Sequence, residues 1–135
     1  MNDAANHTSK DAAAAQSILV VDDDPSMRTI LSFSLKLFGY VVLMAGNGDE
    51  ALTIARKHPA IRLIMLDVVM SGLSGKELAE QLKAALPRAA ILFCSGHPAS
   101  AMVRYDIDVS AGNFLQKPCQ PPELQRKIEE LLATS

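Results

Sequence analysis

Five short apolar runs recur along the chain: ILVV at 18–21, YVVLMA at 40–45, IRLIMLD at 61–67, AAILFCS at 89–95 and NFLQK at 113–117. Each has the length of a single strand, and most are apolar throughout, the pattern of strands covered on both faces. The segments between them read as helices. Asp24 before Pro25 is an N-cap with proline at the first helical position, and Gly39 closes that segment. Asn47 with Glu50, and Ser74 with Glu77, have the spacing of capping boxes. Pro59 and Pro87 follow the second and third helical segments, and Leu124, Ile128, Leu131 and Leu132 form one apolar stripe in the last. The fourth, within residues 98–110, mixes small, β-branched and acidic residues, which predicts a short or irregular helix. Strand alternating with helix throughout gives an α/β fold: one five-stranded parallel sheet, doubly wound, with helices on both faces. Ligands of such sheets bind beyond the carboxyl ends of the strands.

A chain of 135 residues suits one domain, and nearly half of its residues are hydrophobic, enough for a core. Residues 1–16 hold no large apolar side chain beyond Met1 and cannot bury a face, so they are expected to be a flexible tail, with the domain at 17–134. The formal net charge of −2 gives no overall attraction to nucleic acid. No apolar run approaches the roughly 20 residues of a membrane helix, and the N-terminus lacks the basic-then-apolar order of a secretory signal. The expectation is a cytoplasmic protein with neither a membrane nor a nucleic-acid partner. Cys94 and Cys119 form no CxxC and read as small apolar residues in a reducing compartment. His7, His58 and His97 lack metal-ligand spacing.

The chemistry lies at the carboxyl ends of the strands. The first ends in Asp22 and Asp23, the third in Asp67, the fourth in Ser95 and the fifth in Lys117, while the second ends in AGNG. Two carboxylates about 4 Å apart repel by roughly 4 kcal/mol at an effective dielectric near 20. A cluster of three must therefore hold protons or bind a cation. Oxygen donors without His or Cys favour a hard metal, Mg²⁺ first and Mn²⁺ as a substitute. A carboxylate in such a site can act as a nucleophile toward phosphorus, with the Lys ammonium on one phosphoryl oxygen and the Ser hydroxyl on another.

The segments VVDDDPSMR, LIMLDVVMSGLSG, ILFCSG and NFLQKP resemble the receiver domain of two-component response regulators, the CheY-like family, and the resemblance runs from Ser17 to the end of the chain. It implies strand order 2-1-3-4-5 and phosphorylation at Asp67. It implies Asp23, Asp67 and the backbone carbonyl of Val69 as direct metal ligands, with Asp22 acting mainly through metal-bound water. Ser95 would be the switch hydroxyl, Lys117 the phosphoryl-binding lysine, Lys117–Pro118 a cis peptide, and Phe114 the aromatic switch residue. Asp24 keeps the role of helix cap. The chain departs from the family at Ser71, where proline is usual, and at Cys119, where the usual Phe would fill more volume; Gly75 matches. Val69 and His97 occupy positions where the family tunes hydrolytic water. Apolar Val69 is expected to slow hydrolysis, and His97 reads as a solvated loop residue.

The resemblance further implies a protein that catalyses only its own phosphorylation and dephosphorylation. Its donor would be a histidine kinase or phosphotransfer protein. A downstream protein would be engaged through the face of the fourth helix, fifth strand and fifth helix. On the first helix, Met27, Ile30, Leu31, Ser34 and Phe38 read as the inward stripe. Phe33 and Leu37 fall beside it, either as peripheral core or as an exposed docking patch. With the chain ending after the last helix, no output domain is expected. A stand-alone regulator, a relay or phosphate-sink receiver, and the receiver of a hybrid kinase all stay open. Two other classes share features. A haloacid-dehalogenase-like phosphatase would use Asp22 as nucleophile, with DDDPS imitating its motif, but leaves Asp67 without a role. A flavin carrier with this sheet would cradle a phosphate at the first loop, where DDDPS repels it.

Overall fold

Alternate residues of each strand serve opposite faces of the sheet, and this divides the apolar runs between two cores. In the computed structural model, which describes residues 15–70 and 74–133, β1 (Ser17–Val21) sends Ile18 and Val20 to one side and Leu19 and Val21 to the other. β2 (Val41–Ala45), β3 (Ile61–Asp67), β4 (Ala90–Ser95) and β5 (Phe114–Gln116) complete a parallel sheet of order β2-β1-β3-β4-β5. The chain steps to β2 on one side of β1 and then to β3 on the other. The strand order therefore reverses between β1 and β3, and the crevice at their carboxyl ends is the binding edge. Residues 1–14 of the expected tail at 1–16, His7 among them, and the Ser71 departure lie outside the described residues. The carbonyl of Gln16, just ahead of β1, accepts the Val41 N–H of β2 at 3.0 Å.

Helices α1 (Pro25–Leu37) and α4 (Pro121–Ala133) cover one face. There Leu35, Leu124 and Ile128 pack on Ile18, Val20, Leu63, Met65 and Leu92. Helices α2 (Gly48–Lys57) and α3 (Gly75–Ala85) cover the other, with Leu52, Leu78 and Leu82 on Leu19, Ile64 and Leu66. Full burial of one such side chain stabilises by about 1.5–3 kcal/mol. The fourth helical segment is a 3-10 helix, η1 (Ala99–Tyr105), anchored by Ala101 and Met102 and ended by Asp106 in the left-handed region at φ 58°. Its short, irregular form matches the weak helix pattern of the segment.

Local signals carry most of these boundaries. Asp24 caps α1 by accepting the Ser26 N–H at 2.9 Å. Gly39, at φ 98°, turns the chain out of α1, a conformation that costs glycine little. Asn47 and Ser74 accept the N–H groups of Glu50 and Glu77 at 2.8 and 3.1 Å. The return halves of the capping boxes differ from the pattern: the Glu50 carboxylate accepts from Gly46 N–H, and Ser74 Oγ donates to Glu77 Oε1.

Two expectations need correction. β2 is an edge strand and leaves Val41 and Met44 exposed, so it is not covered on both faces. On α1 the inward residues are Ser32 and Leu35, flanked by the half-buried Leu31 and Phe38, whereas Ile30 is 58% exposed. Phe33 and Leu37, at 66% and 70%, are exposed too. The three lie at i, i+3 and i+7, one contiguous apolar strip on the solvent side of the helix. No helix among the described residues is long and apolar enough to cross a membrane.

Candidate functional site

The site is assembled where four strands run out. Asp22 follows β1, and Asp67 is the last residue of the neighbouring β3; both are buried, at 2% and 8% exposure. Asp23, next to Asp22, is exposed. Each of the three offers a carboxylate oxygen within 4.8 Å of the others. Lys117, just past β5, reaches back so that its Nζ donates to Asp22 Oδ2 at 3.1 Å and lies 3.4 Å from Asp67 Oδ2. The Lys117–Pro118 peptide is cis.

The acids are held by backbone donors as well as by charge. Asp22 Oδ1 accepts the Asp24 N–H at 2.9 Å, and Asp67 Oδ1 accepts the Val69 N–H at 3.2 Å. Burial raises the Asp67 carboxyl above the ordinary carboxylate range; Lys117 opposes the rise and the nearby Asp22 charge adds to it. For Lys117, burial pulls downward, but the hydrogen bond to Asp22 and the charges of Asp67 and Asp22 outweigh it and leave the ammonium more basic than usual. Three carboxylates against one ammonium leave an excess of negative charge. The donors are all hard oxygens, with neither His nor thiol among them. This set fits a hard divalent cation.

Ser95 ends β4, one position beyond the residue that pairs with Asp67. Fully buried, its Oγ accepts the His97 N–H at 2.9 Å, and its carbonyl accepts the Lys117 N–H at 2.7 Å. That second bond ties the lysine's backbone to the serine's strand. Phe114 opens β5 opposite Phe93 and packs, with Tyr105 of η1, against the core. Val69 is largely exposed beside Asp67, and His97 is exposed with its ring 6.5 Å from that of Tyr105. Thus Asp22, Asp23, Asp67 and Lys117 converge. Val69 and Ser95 bond to Asp67 and Lys117 through the backbone, Phe114 packs with Tyr105 against the core, His97 lies beside Tyr105, and Phe33 and Leu37 stand apart on α1.

Cys94 and Cys119 are free, Cys94 buried and Cys119 partly so. Burial raises both thiols, which makes them poor nucleophiles at neutral pH. Beneath Cys119 lies a cavity of about 240 Å³ between α1 and α4, lined by Met27, Leu31, Cys94, Leu115 and Leu124 among others. The sequence reading passed over Arg28, whose Nη1 donates to the Asp22 carbonyl at 2.7 Å. An arginine one turn into the helix that follows an acidic strand end was the available signal.

The sequence profile of the response regulator receiver domain matches residues 18–129. A probable transcriptional regulator, ycf27, from Porphyridium aerugineum is 33% identical over 118 residues, covering 87% of this chain and 48% of the relative. The chain therefore spans about half the length of that protein. Among solved structures, the chemotaxis protein CheY4 of Vibrio cholerae superposes with a TM-score of 0.77 at 28% identity, over 87% of this chain and 98% of that one. A response regulator protein from Burkholderia pseudomallei, solved with a phosphorylated aspartic acid and a calcium ion, gives a TM-score of 0.75 at 28% identity, over 88% of this chain and 69% of that one. Strand order, the acidic edge and these matches agree: the chain belongs to the response regulator receiver domain family.

Proposed function

We propose that residues 17–134 form a receiver that accepts a phosphoryl group on Asp67 from a histidine kinase or phosphotransfer protein, in the cytoplasm. The observation that carries this reading is the Asp67 carboxylate held 3.4 Å from the Lys117 ammonium inside the trio of acids. An oxygen of the Asp67 carboxylate attacks phosphorus, and the P–N bond to the donor imidazole breaks. The electron pair stays on the imidazole nitrogen, which takes up a proton. Lys117 holds a phosphoryl oxygen, and the Ser95 hydroxyl turns from the His97 N–H to bond another. The longer contacts of Asp67, 3.2 and 3.4 Å to Val69 N–H and Lys117 against 2.9 and 3.1 Å for the two oxygens of Asp22, support Asp67 over Asp22 in this role.

Asp22, Asp23, Asp67 and the Val69 carbonyl would hold Mg²⁺, or Mn²⁺ in its place. When bound, the metal offsets the repulsion between the carboxylate and the phosphoryl oxygens. The chain acts on itself only; water attacking the acyl phosphate returns Asp67 to its carboxylate, and Val69 and His97 flank that approach. Movement of Ser95 and Phe114 would pass to η1, β5 and α4, the surface for a downstream protein. The strip of Ile30, Phe33 and Leu37 is the docking surface for the donor. Intact mass after incubation with acetyl phosphate and Mg²⁺ tests the reading. One labile phosphoryl group should be gained, and the gain should be absent with EDTA or in Asp67→Asn; a wild type left unmodified by acetyl phosphate and by a phosphorylated phosphotransfer protein alike would refute it.

A further inference from the structure

A side chain from α1 reaches the peptide between Asp22 and Asp23, the two neighbouring acids of the cluster. Every polar group of Asp22 has a partner. Its N–H donates to the Ala45 carbonyl at 3.1 Å, Oδ1 accepts from Asp24 N–H at 2.9 Å, and Oδ2 accepts from Lys117 at 3.1 Å. The carbonyl accepts from Arg28 Nη1 at 2.7 Å, the shortest of the four and the only one supplied by a long side chain of the adjoining helix. That carbonyl belongs to the peptide plane joining Asp22 to Asp23, so the guanidinium bears on the plane from which both acids extend.

The loop between β2 and α2 closes on the same guanidinium nitrogen. A Cβ built on Gly46 would stand 2.9 Å from Arg28 Nη1 and 3.4 Å from Cζ. The loop is itself held, since Gly46 N–H donates to Glu50 Oε1 at 2.6 Å in the first turn of α2. Gly46 does not sit at a positive φ. The reason for glycine there is space for the arginine, not backbone freedom.

We propose that Arg28 is a positioning residue for the metal-binding acids, and that Gly46 is the gap that lets it reach Asp22. The proposal rests on the reading of the acids as a Mg²⁺ site, and it makes a prediction of unexpected sign. By charge alone, removing a cation beside three carboxylates tightens Mg²⁺ binding. By positioning, removing it loosens binding, because the oxygens are no longer aligned.

Calorimetric titration with Mg²⁺ of wild type, Arg28→Met, Arg28→Lys, Gly46→Ala and the Gly46→Ala/Arg28→Met pair separates these accounts. Methionine keeps the packing of the arginine stem, and circular dichroism confirms the fold of each variant. Arg28→Met should weaken Mg²⁺ binding by roughly tenfold, the lower range for loss of an outer contact to a ligand. Arg28→Lys should recover part of the loss. Gly46→Ala keeps the charge but displaces the guanidinium, so it should weaken binding in the same direction. The pair should be no weaker than Arg28→Met alone, as expected when one substitution acts through the other. Tighter or unchanged binding in Arg28→Met, or losses that add in the pair, would overturn the proposal.

Hydrogen exchange in metal-free protein decides the matter separately from the functional reading. The Asp24 amide, bonded to Asp22 Oδ1, should exchange about tenfold faster in Arg28→Met, the loss expected when a local contact stops holding a turn closed. Should wild type bind no Mg²⁺, the functional reading fails and this exchange still judges Arg28. An unchanged rate would refute the positioning role.

Discussion

Lys117 stands between Asp22 and Asp67, 3.1 and 3.4 Å from their carboxylate oxygens, and is the one cation that touches both buried acids among the described residues. Its removal has opposite effects on two measurable properties. Lys117→Met removes the larger of the two influences that lower the Asp67 pKa, the other being the Val69 N–H, so Asp67 should hold its proton to higher pH. Phosphorylation by acetyl phosphate should fall about 100-fold, the scale of losing one donor to a transferring group. Mg²⁺ binding should tighten, because a competing cation has gone. NMR titration of the Asp67 carboxyl, phosphorylation kinetics and calorimetry read these effects, and a weaker Mg²⁺ affinity would contradict the account. The Lys117 pKa is raised, so the pair's contribution is fully present below the ordinary 10.5 and is lost only as pH rises through the folded value.

Asp67 carries a linkage of the same sign, at the acid end of the scale. Its folded pKa lies above 3.8, so the folded protein retains a proton that the unfolded chain has already released. Stability from this group is present below that ordinary value and is lost as pH rises through the folded pKa. Asp67→Asn removes the cost of ionising a buried carboxyl. It should raise the melting temperature at neutral pH by on the order of 4 °C, the scale of roughly 1 kcal/mol in a domain of this size. The gain should vanish below pH 3.8. Calorimetric melting across pH checks this, and a destabilised Asp67→Asn at neutral pH would contradict it.

Phe33→Ala and Leu37→Ala should leave stability within about 0.5 kcal/mol, as exposed positions do. Leu35→Ala, on the buried face of the same helix, should cost about 2–5 kcal/mol. If the exposed strip docks the donor, the first two should slow phosphotransfer from a histidine kinase or phosphotransfer protein about tenfold, while acetyl phosphate acts at the wild-type rate. Urea denaturation and paired donor kinetics make the comparison. Equal slowing with both donors would remove the docking role.

Val69 presents an apolar side chain beside Asp67. Val69→Asn places an amide where water must approach, and dephosphorylation should quicken several-fold, on the order of the modest gain from one added polar contact. Decay of the phosphorylated species, followed by intact mass after removal of the donor, measures it. An unchanged lifetime would show that residue 69 does not gate the water.

The fold and the site were not equally legible in the sequence. Asp22, Asp67, Ser95 and Lys117 each terminate or follow an apolar run, and a parallel sheet brings all such ends to one edge, so their convergence could be read directly. The face of α1 could not. Met27, Ile30, Leu31, Phe33, Leu35, Leu37 and Phe38 place apolar residues around most of the helix, and periodicity alone does not choose among faces. Packing chose Leu35 and Ser32 and left Ile30 in solvent. Arg28 escaped notice because its partner is a backbone carbonyl, a group present at every residue, which left its place one turn into α1 as the one hint. The exposure of Val41 and Met44 depended on which strand lies at the edge, a property of the whole sheet.

The central claim is that Asp67 receives the phosphoryl group, and locating the label tests it most directly. Wild type is phosphorylated with acetyl phosphate and Mg²⁺, reduced with borohydride to convert the aspartyl phosphate to homoserine, and mapped by peptide mass spectrometry. The account predicts homoserine at position 67 and an unaltered Asp22. Homoserine at position 22, with Asp67 intact, would contradict it and make Asp22 the nucleophile.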